Sequence, residues 1–100
     1  MKACLVITTT ATHEDAIALA GKILEAKLAA CIQLDNIKSI YRWNEEIVNE
    51  QEVRLSIKTL KSQYADLKKF ILANHKYTTP EIIQIDMLDV EEKYLNWLRS

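Results

Sequence analysis

The chain contains a single glycine and a single proline in 100 residues. One glycine leaves no Gly-rich phosphate loop, no dinucleotide-binding fingerprint and no G-x-S-x-G nucleophile elbow. The cysteines are Cys4 and Cys31 alone. With no C-x-x-C pair, a close-spaced structural zinc site is excluded. The two thiols could pair in principle. Without a secretory signal they read as free thiols in a reducing cytoplasm. Met1-Lys2 leads straight into a strand-like run with no cleavage site, so no signal peptide and a cytoplasmic location are expected. The apolar runs are far too short to span a bilayer, and no membrane partner is expected. Net charge is −1, with acidic and basic residues interspersed. The chain therefore lacks the basic face of a nucleic-acid binder.

What remains is an ordinary globular composition, 49% hydrophobic and 27% charged. Residues 1–100 make a single domain. A chain this short buries somewhat over ~60% of its unfolded surface, so its core is modest.

Cys4-Leu5-Val6-Ile7, followed by three threonines, reads as a strand buried on both faces and hence central in a sheet. Thr12 with Asp15 marks a helix N-cap. Ile17, Ala20, Leu24 and Leu28 then recur at helical spacing, with Ala16 and Ile23 beside them. Gly21 inside this helix implies close packing against the sheet, since glycine there costs about 1 kcal/mol relative to alanine. Cys31 to Trp43 reads as one long strand whose apolar phase slips at Asp35-Asn36, as at a β-bulge. Val53, Leu55 and Ile57 alternate with polar residues in the next strand, giving an antiparallel hairpin that turns between Trp43 and Ile47 or slightly later. Ser62 is placed as the cap of a second helix with inner face Tyr64, Leu67, Phe70 and Ile71. Pro80 opens a fourth strand with Ile83, Ile85 and Met87 on one face. Asp89, with Glu92 three residues on, caps a last helix striped by Val90, Tyr94, Trp97 and Leu98.

The expected fold is α+β: a ferredoxin-like βαββαβ sandwich with an extra C-terminal helix and a long hairpin between its second and third strands. A strand of about twelve residues exceeds the usual range of roughly 3–10 and overhangs so small a domain. The overhang carries Ile40, Tyr41, Trp43, Ile47 and Val48, so an oligomer is inferred.

The candidate chemistry is sparse. His75 reads either as a metal ligand or acid–base residue, or as a polar residue closing a helix C-terminus. Tyr77 reads as a ligand contact beside it or as a packed turn aromatic. Cys31 is either a soft-metal thiolate or a small core residue, and Cys4 reads as core. Arg54 and Lys58 share a strand face and suit an anion, a solvated surface or an intersubunit ion pair. Tyr41, Arg42 and Trp43 suit a stacked ligand or, more simply, a protein interface. No nucleophile–base–orienter set can be assembled, so no enzyme is expected.

Five segments carry a family resemblance. Leu28-Ala29-Ala30-Cys31 contains A-A-C, and Ser39-Ile40-Tyr41-Arg42-Trp43 is S-x-Y-x-W. Glu52 through Ile57-Lys58-Thr59 is E-x-x-x-x-I-K-T. His75, Tyr77, Pro80 and Glu81 match H-P-Y-x-x-P-E, and Tyr94 with Trp97 matches Y-x-x-W. In order and spacing, from near residue 3 to residue 98, the chain resembles the CutA family of divalent-ion tolerance proteins. The resemblance implies a tight homotrimer joined by edge-to-edge strand pairing and a role in tolerance of divalent cations, copper especially. It makes Cys31 and His75 the candidate metal ligands. No cofactor is required, and copper or another divalent cation is the candidate ligand. The alternative it implies is a PII-like signalling or scaffold trimer holding a small ligand or protein in an intersubunit cleft.

The chain departs from the family pattern in three places. Glu45 replaces a glycine two residues after the tryptophan, which predicts a different hairpin turn because Glu resists φ > 0. Lys76 replaces the proline of H-P-Y and leaves that loop less constrained. Thr8 stands where some members carry a cysteine, removing one soft ligand.

Overall fold

The computed structural model describes residues 2–100. Its elements are β1 (Ala3–Thr10), α1 (His13–Glu25), β2 (Cys31–Trp43), β3 (Glu46–Leu60), a 3-10 turn (Lys61–Gln63), α2 (Tyr64–Asn74), β4 (Ile83–Met87) and α3 (Glu92–Arg99). The four strands form one antiparallel sheet in the order β2-β3-β1-β4. This is the α+β, ferredoxin-like arrangement, with β1 and β3 in the centre as the apolar run of β1 requires. Among the described residues no helix is long and apolar enough to cross a membrane.

The core lies on one sheet face. Cys4, Val6, Val53, Leu55 and Ile57 meet Ala16, Leu19 and Ile23 of α1 and Leu67 and Ile71 of α2. Ile57 pairs with both Val6 and Ile32, so three strands deliver apolar side chains to the same layer. The other face carries Leu5, Ile7, Ile83 and Ile85, the last two nearly half exposed. Neither α1 nor α2 covers it. Lys58 points to this face, and its Nζ lies 5.4 Å from the Tyr94 ring centroid of α3.

Several local expectations are corrected. The β2–β3 register runs without interruption from Cys31↔Lys58 to Trp43↔Glu46, so there is no bulge at Asp35-Asn36. The apolar phase changes because the packed face changes. Ile32 and Leu34 point to the helices, whereas Ile37, Ser39, Tyr41 and Trp43 point to the opposite face, beyond the reach of the helical layer. In α1 the Thr12 cap is present, its hydroxyl accepting from Asp15 N at 3.1 Å. The buried stripe, however, is Ala16, Leu19 and Ile23, and Ile17 is 57% exposed. A side chain built at Gly21 would meet nothing within 4 Å, so close packing does not explain that glycine.

Ser62 does not cap α2; it sits inside the 3-10 turn, and Gln63 occupies the cap without a side-chain bond. Glu91, not Asp89, caps α3, accepting from Tyr94 N at 3.0 Å, because the helix begins at Glu92. Pro80 precedes β4 by three residues rather than opening it. The hairpin turn does not avoid positive φ: Asn44 and Glu45 lie at 50° and 65°. A two-residue link between strands paired up to Trp43↔Glu46 demands the type I′ geometry, and continuous pairing imposes it on Glu45.

Candidate functional site

β2 and β3 extend far past the helices and stretch the molecule to 45 × 25 × 21 Å. At the root of this arm, the loop after α2 folds against the sheet. Three contacts hold that loop. The His75 ring bonds the Thr9 carbonyl through Nε2 at 2.7 Å, and its Nδ1 accepts from Tyr77 N at 3.0 Å. An acceptor at Nδ1 requires the proton on Nε2, which therefore donates to Thr9. Lys76 Nζ reaches Asp15 Oδ1 at 2.7 Å, so an ion pair to α1 supplies the constraint lost with the proline. That pairing holds the Asp15 carboxyl below the usual carboxylate range.

Tyr77 makes the third contact and the most informative one. Its hydroxyl donates to Glu52 Oε2 at 2.7 Å, while Ser39 Oγ donates to Glu52 Oε1 at 2.7 Å. Two positions along β3, Glu50 accepts from the Tyr41 hydroxyl. That bond, reinforced by desolvation and the Glu50 and Glu52 charges, pushes the Tyr41 phenol up to about 12. Burial, with the bond to Glu52, pushes Tyr77 up as well. Around this network opens a cavity of about 620 Å³. The residues that line it include the aromatic Tyr41, Trp43 and Tyr77 and the acidic Glu50, Glu52 and Glu81.

Cys31 and His75 lie apart. Cys31 is a half-buried free thiol opposite Lys58, which pairs in turn with Leu5. His75 is bonded at Thr9, four residues further along β1. Four residues of strand span roughly 13 Å, and two strand spacings add about 10 Å across the sheet. One chain therefore does not bring the two together, and both nitrogens of His75 are already engaged. Among the described residues no three His, Cys, Asp or Glu side chains are grouped to hold a metal ion. Cys4 is fully buried in the core, where burial raises its thiol pKa. Arg54 is held within its own chain by Asp35, with bonds of 2.8 and 3.2 Å. Lys58 lies beside Tyr94.

Sequence reasoning singled out Tyr41, Trp43 and Tyr77 and quoted Glu52 and Glu81 as motif residues, but it did not name Glu50 or bring these acidic residues together with the aromatic ones. The signal was available in part. Glu50, Glu52, Arg54, Ser56 and Lys58 alternate along β3, and a two-residue hairpin places Glu52 opposite Ile37, beside Ser39.

The model of the CutA1 divalent ion tolerance protein family matches residues 4–100. The divalent-cation tolerance protein CutA of Thermus thermophilus is 38% identical, over 96% of this chain and 94% of its own length. Among solved structures, CutA1 from Ehrlichia chaffeensis superposes with a TM-score of 0.94 at 39% identity, covering 99% of this chain and 94% of that one. CutA1 from Oryza sativa does so with a TM-score of 0.96 at 35% identity, covering 99% and 92%. The chain belongs to the CutA1 family.

Proposed function

We propose, from this family membership, that the chain acts in tolerance of divalent cations as a cytoplasmic homotrimer that binds copper or another divalent cation. The observation that carries the assembly is the overhanging arm. Trp43 is 57% exposed and Ile47 73% exposed on a hairpin that no helix covers. Ile83 and Ile85 leave an apolar sheet face open on the same side as Trp43. Apolar area of this kind is what a subunit interface buries. Both edge strands, β2 and β4, offer free backbone groups to a neighbouring copy.

For the metal, Cys31 offers a free thiol of the soft type that Cu(I) prefers. His75 would have to release Thr9 or Tyr77 to bind an ion. A single chain supplies no grouped donor set, so the reading requires a site completed between copies. No catalytic role is proposed; the relatives above are named as tolerance proteins.

Light scattering tests the assembly, with three times the 11.5 kDa chain mass expected. Copper titration under reducing conditions tests the site, with binding expected to disappear in Cys31→Ser. A stable monomer at micromolar concentration, or undiminished copper affinity in that variant, refutes the corresponding half. The acidic, aromatic cavity favours a second reading, in which the assembled protein is a PII-like signalling or scaffold trimer whose ligand sits beside Tyr77.

A further inference from the structure

We draw no further inference here: the strongest candidate, the outer face of α1 where the exposed Ile17 and Leu24 flank Gly21, is an unpartnered apolar helix face, and nothing in the structure shows what covers it.

Discussion

Replacing Gly21 with alanine should make this protein more stable. Gly21 lies in the ninth position of a 13-residue helix, on an exposed face, and a Cβ built there meets nothing within 4 Å. No native contact is lost or crowded by the added methyl group. Alanine is favoured over glycine in a helix interior by about 0.8–1 kcal/mol, largely because the unfolded chain has less freedom to lose. For a domain of this size, ~1 kcal/mol corresponds to a rise in melting temperature of about 4–8 °C. Gly21→Leu should be tolerated as well, since the position is exposed and leucine is a good helix former. The measurement is thermal and urea unfolding of the three proteins at one concentration, because assembly makes melting temperature concentration-dependent. A fall in stability for Gly21→Ala would refute the reasoning. It would mean that something outside the chain approaches the helix backbone at Gly21, and that the glycine is kept for that contact.

The turn should respond in the same direction. Glu45→Gly relieves a left-handed residue at φ 65° and should stabilise by about 1 kcal/mol, read as a shifted urea midpoint with unchanged slope. Thr8 is fully buried, and its hydroxyl has no hydrogen-bond partner. Thr8→Val should therefore gain about 1 kcal/mol in the same assay, and a loss would reveal an unseen partner for the hydroxyl. Tyr41 and Tyr77 both titrate above the usual phenol value in the folded chain, and the Cys4 thiol is raised too. Their protonated forms are favoured by folding, so their contribution is fully present below the ordinary values and is lost as pH rises through the folded ones. Stability should decline from about pH 9 upward, and Tyr41→Phe should flatten the part of the decline that runs toward about pH 12.

Legibility in the sequence followed the range of the interactions. The β1 run, the alternation of Val53, Leu55 and Ile57, and the Thr12 cap depend on neighbours one to four residues away, and each is where local pattern places it. The Ile17–Leu24 spacing misled because two apolar stripes overlap on α1, and only contact with the sheet chooses Ala16, Leu19 and Ile23. The apparent slip in β2 has the same origin. A strand that packs one face near its start and the other near its end mimics a bulge, and only the pairing with β3 separates the two cases. Glu45 shows the reverse: a local preference was real but was overridden by register on both sides. The candidate site is the least local feature. Glu52 finds Ser39 across 13 positions and Tyr77 across 25, and neither separation leaves a periodic trace.

The His75–Glu81 segment, singled out for its histidine and proline, turns out to act through its neighbour. His75 uses both ring nitrogens to set the loop, one on the Thr9 carbonyl and one on the Tyr77 backbone. Lys76 clamps the same loop to α1. With the backbone held at three consecutive residues, the Tyr77 hydroxyl is delivered to Glu52 at the root of the arm. Glu52 is in turn bonded to Ser39 of β2. The loop, the body of the sheet and the arm thus meet on a single carboxylate. A variant that releases His75 should act on the arm through Tyr77 rather than through any lost ligand bond. His75→Ala and Tyr77→Phe should therefore resemble each other in assembly and in cavity binding. A ligand role for His75 predicts instead that His75→Ala alone abolishes copper binding while Tyr77→Phe leaves it intact.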